Sequence, residues 1–359
     1  MHSYIITGIR MGPFIRLLRK HGFSLSPKKL ARVLYILQNS VWASFFTWLE
    51  KIKYGKILET YPVPDDPVII IGHWRTGSTF LHDLLACDPK LAAPSLFQVT
   101  FPESFMVSER YFRPVMSKML KRRPMDNMEL GFDSPQEDEF ALLKLTFESP
   151  YVKFIFPDKP GYFFDHPGDF CPPATQQENW KKQFRDYCRK ISRDSGRKVL
   201  LKNPMHSMRI PFLLETFPKA RFIHIHRHPY RVVPSTMHLW KVMADDNQLR
   251  GKSYHPSLEE VTLGLNIFYE VITTDAEKIP EGQYFELKYE DLERDPAGEI
   301  SKIYGAFGLE FKEEFEKGIT GYLERTRRFK KNSYTFGDDE KRYVRHKLAG
   351  PFERYHYDD

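Results

Sequence analysis

The clearest signal along the chain is an uninterrupted β-branched run, Val68-Ile69-Ile70-Ile71, closed by Gly72. A strand with one solvated face would alternate apolar and polar residues, so this run predicts a strand buried on both faces of a parallel sheet. Residues 198–201 and 221–225 repeat the pattern, and 284–287 carry a less apolar version of it. Between them, apolar residues recur at helical spacing over 180–192, 208–217, 258–279 and 299–307. Strands alternating with helices predict an α/β fold with a central parallel sheet flanked by helices, and they put ligands at the carboxyl ends of the strands.

Residues 61–67 contain three prolines and two aspartates, the composition of a linker. They separate an N-terminal helical region, 1–60, from a main domain, 61–359. Within the first region, Ile15, Leu17 and Leu18 alternate with Arg16, Arg19 and Lys20, and Trp42, Phe45, Phe46 and Trp48 follow. A basic segment followed by an aromatic one suits a membrane interface. Half-buried helices on the main domain are the ordinary alternative. No run approaches the roughly 18 apolar residues of a membrane span, and no small-residue cleavage pattern follows the short apolar run 4–9. A cytoplasmic protein is expected, with peripheral contact to the inner membrane face as the membrane role these helices suit.

Charge and cysteines narrow this further. The excess of 54 Lys+Arg over 47 Asp+Glu, +7, favours anionic ligands without calling for nucleic acid. Cys87, Cys171 and Cys188 form an odd set with no C-x-x-C pair, so a disulfide framework and a structural zinc site are not expected.

Candidate chemistry begins where the first strand ends. Gly72-His73-Trp74-Arg75-Thr76-Gly77-Ser78-Thr79 leads into the helical start Phe80-Leu81-His82-Asp83-Leu84-Leu85. A strand, a glycine-bounded loop and a helix N-terminus together offer backbone N–H groups and a positive dipole end to an anion. A P-loop nucleotide kinase needs Gly-Lys-Ser/Thr at the end of this loop, with magnesium on the hydroxyl. Here Ser78 follows Gly77, and the cation comes earlier, at Arg75.

Arg75-Thr76-Gly77-Ser78-Thr79-Phe80 resembles the 5'-phosphosulfate loop of sulfotransferases that use 3'-phosphoadenosine 5'-phosphosulfate (PAPS). The resemblance implies a P-loop-like sulfotransferase fold, with Arg75 on the bridging oxygen and Thr76, Gly77, Ser78 and Thr79 around the 5'-phosphate. It also implies PAPS as donor, PAP as product and no metal. A second segment, Arg227 to Ser235 after the third strand, resembles the family's 3'-phosphate motif. Tyr289-Glu290-Asp291-Leu292 is similar to the segment whose tyrosine touches the adenine. The basic run at 327–334 resembles a loop that closes over the 3'-phosphate, implicating Lys331 and Tyr334. Gly72-His73-Trp74-Arg75 and Lys202-Asn203-Pro204-Met205-His206 look more like bacterial and carbohydrate-type members than animal cytosolic ones.

Sulfuryl transfer to a hydroxyl requires a base for the acceptor proton and a cation for the charge that develops. Lys202 is the expected cation, matching a lysine that relatives place beside the transferring group. His206 is the leading base, since imidazole accepts a proton near neutral pH. Glu137 and Glu139 compete with it, because some branches of the family use a glutamate. The long segment 91–173 is rich in aromatic residues, including Phe97, Phe101, Phe105, Tyr111 and Phe112. These are either plain core or the lining of an apolar pocket for a lipophilic alcohol such as a sterol or a polyprenyl quinol. A kinase and a basic membrane-surface binding module are the alternative readings.

Overall fold

The computed structural model describes residues 5–23, 25–116, 131–157, 170–251, 254–327, 334 and 336–358. Its centre is a parallel sheet of five strands: β1 (Val68–Ile71), β2 (Leu91–Ala92), β3 (Lys198–Lys202), β4 (Arg221–His226) and β5 (Tyr284–Lys288). They lie in the order β2-β3-β1-β4-β5. Four of them are the strands predicted above. β2 has only two residues, too few to leave a periodic pattern.

β1 pairs with β3 on one side and β4 on the other, with Ile70 opposite Lys202 and Ile223. Both faces of β1 are covered. Ile69 and Ile71 enter the larger core cluster with Trp180 and Trp240, while Val68 and Ile70 enter a second cluster with Leu81, Leu84 and Ile300. A strand enclosed in this way has no polar positions to alternate with, which explains its sequence.

The helical stretches appear as Gln177–Ser195, Leu258–Ala276 and Pro296–Ala306. The pattern at 208–217 is divided: a 3-10 turn spans Pro204–Met208, and an α-helix runs over Ile210–Thr216. At the N-terminus, α1 (Met11–Lys20) buries Phe14, Leu17 and Leu18. The long α2 (Leu30–Thr60) buries Val33, Ile36, Ala43 and Phe46 at helical spacing, with Val33 and Ile36 in the larger core cluster. It ends one residue before Tyr61, which precedes Pro62 and takes an extended conformation. Among the described residues, no helix is long and apolar enough to cross a membrane.

Phe97, Phe101 and Phe105 are wholly buried in the larger core. The plain-core alternative therefore holds for them.

Candidate active site

The ends of β1, β3, β4 and β5 open on the same edge of the sheet because all four strands are parallel. After β1 the chain turns sharply. Gly72 has φ 141°, and a Cβ there would stand 2.4 Å from the Ile225 carbonyl oxygen, so only glycine lets the loop cross β4 this closely. Thr76 Oγ1 donates to the His73 carbonyl (2.8 Å) and holds the loop shut. Gly77, with φ 95°, is the N-cap of α3 (Ser78–Leu85), and no side chain caps that helix start. Its first N–H groups are left for an anion.

Arg75 sits in the left-handed region, φ 67°. From there its Nε donates to Ser235 Oγ at 2.7 Å. Ser235 lies on the helix Pro229–Asn247, which follows β4. Arg227, between β4 and that helix, places its guanidinium 4.2 Å over the Tyr289 ring, and one of its terminal nitrogens is 3.5 Å from the Arg75 carbonyl oxygen. Arg227 Nε is buried without a hydrogen-bond partner. Burial lowers its pKa, a strain on its charge that a bound anion would relieve. Tyr289, at the end of β5, packs so closely on the loop that a Cβ on Gly77 would fall 2.0 Å from its ring. Phe80 meets the same ring edge-on at 6.4 Å. Thus Arg75, Gly77, Phe80, Arg227, Ser235 and Tyr289 form one continuous surface, with Thr76, Ser78 and Thr79 in the loop and helix start behind it. Tyr334 lies further out, 5.8 Å from His238 on the Ser235 helix. Lys331 lies outside the described residues.

Beside this surface is a cavity of about 80 Å³. Its walls are apolar, with Phe140, Phe154, Leu239, Trp240 and Met243, and its polar end is Glu137 and Lys202. Lys202, the last residue of β3, pairs with Glu137 at 2.8 Å. The other carboxylate oxygen of Glu137 accepts from Tyr151 OH at 2.7 Å. Tyr151 in turn accepts from Trp74 Nε1 at 3.1 Å, and Trp74 is the loop residue next to Arg75. Burial, reinforced by Glu137, pushes the Tyr151 pKa well above its ordinary value, so the phenol stays neutral and acts as a donor. A chain of hydrogen bonds therefore joins the anion loop to the carboxylate.

The three consecutive acids point to three different partners. Glu137 faces the cavity. Asp138 Oδ2 lies 2.7 Å from His206 Nε2, with both side chains fully buried. Glu139 holds Arg209 at 2.8 Å and accepts from Asn203 at 2.6 Å, again fully enclosed. Burial works to raise the Glu139 pKa, but Arg209 overrides it and keeps the carboxyl below its ordinary value. His206 packs on Phe184 and is not part of the cavity wall. Sequence reasoning missed Trp74 and Tyr151 as site residues: a tryptophan inside a phosphate loop is the one signal it had, and Tyr151 left none. Among the described residues, no group of three or more His, Cys, Asp or Glu side chains could hold a metal ion.

A model of the sulfotransferase family matches residues 67–313. Over 353 residues the chain is 32% identical to the omega-hydroxy-beta-dihydromenaquinone-9 sulfotransferase Stf3 of Mycobacterium bovis, covering 98% of this chain and 90% of that one. The protein of that name from Mycobacterium tuberculosis matches equally. The fold is similar to the crystal structure of sulfotransferase STF9 from Mycobacterium avium, with TM-score 0.70, 17% identity and 98% of both chains covered. Sulfotransferase STF1 from Mycobacterium tuberculosis gives TM-score 0.61 at 18% identity, covering 94% of this chain and 90% of that one.

Proposed function

The chain belongs to the sulfotransferase family and is a sulfotransferase, and from that premise we propose that it transfers a sulfuryl group from PAPS to the hydroxyl of a lipophilic alcohol, with Glu137 as the base. PAPS, when bound, supplies the activated sulfuryl group together with its 5'- and 3'-phosphates. The N-terminus of α3 and the side chains of Arg75, Ser78 and Thr79 grip the 5' end. Arg227 and Ser235 take the 3'-phosphate, and Tyr289 and Phe80 offer their rings to the adenine. The partnerless Nε of Arg227 and the uncapped start of α3 fit a ligand with an anionic group at each end. Ser78, standing where a kinase needs lysine, counts against the nucleotide-kinase alternative.

The observation that carries the reading is the Lys202–Glu137 pair at the polar end of an apolar cavity. Glu137 accepts the acceptor proton at a carboxylate oxygen while Lys202 stabilises the charge that develops on the transferring group. His206 has the right chemistry, but its buried pairing with Asp138 favours a structural role. The cavity admits the reacting end of a molecule, and its apolar walls favour an alcohol on a hydrocarbon chain or ring. The named acceptor class of the Stf3 relatives, a menaquinone derivative, agrees with that preference. Incubation with 35S-labelled PAPS and a membrane lipid extract, followed by identification of the labelled product, tests it. A labelled quinol or sterol is the expected result. Label appearing only in sugars or peptides would overturn the acceptor class while leaving sulfuryl transfer intact.

A further inference from the structure

We propose that the outward face of α2 is a docking surface for an anionic lipid bilayer. Among the described residues, twelve large hydrophobic side chains are exposed, and ten of them lie before residue 60. Eight of the twelve are on α2 itself. Scattered exposed apolar residues need no explanation, whereas a contiguous patch marks an interaction site. Leu34, Val41, Phe45, Trp48 and Ile52 fall within about 60° of one another around the helix at 100° per residue, and all are about half exposed or more, from 46% for Phe45 to 66% for Ile52. Trp42 flanks them at 50%. The opposite side of α2, with Val33, Ile36, Ala43 and Phe46, is packed into the core, so the exposed stripe is a second apolar face that the fold does not use.

Charge identifies the occupant. The stripe is bracketed by Lys28, Lys29 and Arg32 at one end and by Lys51, Lys53 and Lys56 at the other, about 33 Å apart between Lys29 and Lys51 at the α-helical rise. Trp and Leu toward the acyl boundary with lysines at the headgroups is the arrangement of a helix lying in a bilayer interface. A second copy of the chain fits less well. Any isologous pairing of the stripe sets these basic ends against each other, and Glu59 is the lone exposed acid on α2.

The surface also adjoins the cavity. Arg32 donates to the Gln248 carbonyl at 3.0 Å, and Leu249 N–H donates to the Ile155 carbonyl at 2.9 Å. Ile155 directly follows Phe154 of the cavity wall, and Gln248 caps the helix that carries Met243 of that wall. The basic end of α2 is thus tied to the framework of the site, and docking sets the enzyme where a membrane-dissolved alcohol resides. The surface rests on α2 alone and stands whether or not the acceptor is lipophilic.

The test is flotation of the full-length protein with vesicles of phosphatidylcholine containing 30% phosphatidylglycerol, against phosphatidylcholine alone. Binding to the anionic vesicles that weakens with added salt is expected. Phe45→Ser with Trp48→Ser should weaken it by roughly 100-fold, since each aromatic is worth about a tenfold factor or more. Lys51→Glu, Lys53→Glu and Lys56→Glu together should do the same on anionic vesicles only. PAP affinity by calorimetry, unchanged in both variants, shows that the fold and donor site are intact. Absence of flotation by the native protein overturns the proposal. So does a dimer in sedimentation velocity that the Phe45/Trp48 variant abolishes, because the face then belongs to a second copy.

Discussion

Arg75 and Ser235 lie 160 residues apart, yet Arg75 Nε donates to Ser235 Oγ at 2.7 Å. The two segments proposed to hold the donor's phosphates are therefore one surface, and each cation beside it is positioned by the other segment.

The first expectation concerns Arg227. Its guanidinium lies over Tyr289 with Nε partnerless, so a 3'-phosphate gains a buried, charge-assisted contact that AMP lacks. PAP should bind far more tightly than AMP, and Arg227→Ala should cost about 2–4 kcal/mol of PAP affinity with little change for AMP. Calorimetry with the two ligands decides it. Equal affinity in the native protein would remove the 3'-phosphate role.

Glu137→Gln should lower kcat by roughly 10²–10⁴, the range of general-base catalysis, with PAP affinity unchanged. His206→Ala should instead cost about 2–4 kcal/mol of stability, because it opens a buried void and leaves Asp138 facing it. Steady-state kinetics below the melting temperature separate the two. Native-like turnover of Glu137→Gln combined with a dead but stable His206→Ala would return the base to the histidine.

Tyr151 connects Trp74 to Glu137. Tyr151→Phe keeps the ring and removes both bonds, and a lost hydrogen bond to a carboxylate of about 1.5 kcal/mol corresponds to roughly tenfold in rate. Single-turnover measurements at saturating donor should find the loss in the chemical step, with donor affinity unchanged. An unaltered rate would make the bonds purely structural.

Acid stability should reflect His73. Burial lowers its pKa from 6.5 to about 3, so between those values the unfolded chain binds a proton that the folded chain does not. The stability it contributes is complete above about pH 6.5 and is lost as the pH falls toward 3. By about pH 5 the loss is on the order of 2 kcal/mol. Melting temperatures at pH 7.5 and 5 should diverge in the native protein and converge in part in His73→Gln.

Excess EDTA should leave turnover unchanged, since Arg75, Arg227 and Lys202 supply the cations and Ser78 replaces the lysine of a magnesium-dependent loop. A strict magnesium requirement would contradict this.

What was legible in the sequence follows from how each feature is encoded. β1, β3 and β4 announced themselves because a doubly buried strand is mostly apolar along its length, and the anion loop did so because its glycines are sterically required. The split of residues 204–217 into a 3-10 turn and a helix was not legible, since Pro204 and Pro211 suit either the start of a helix or its interruption. His206 was favoured on intrinsic proton affinity, which says nothing of burial. Its enclosure with Asp138 and Phe184 depends on packing between segments about 70 and 20 residues away. Tyr151 belongs to the site through its place in the cavity wall and its hydrogen bonds to Glu137 and Trp74, and no local pattern records such contacts.

The parallel strand order also bears on how the protein is made. Parallel neighbours are always distant in sequence, so their closure entropy must be met before their contacts reward it, and such sheets form slowly. Arg75 leaves the ribosome early, with β1 in the middle of the future sheet, but Arg227, Ser235 and finally Tyr289 emerge much later, with β4 and the edge strand β5. A nascent or truncated chain that stops before β5 has the loop but not the ring that closes on Gly77. On the proposed donor site, high donor affinity is expected only of a chain that has reached β5. PAP would then act as a thermodynamic clasp, withdrawing finished molecules from the pool still able to misfold.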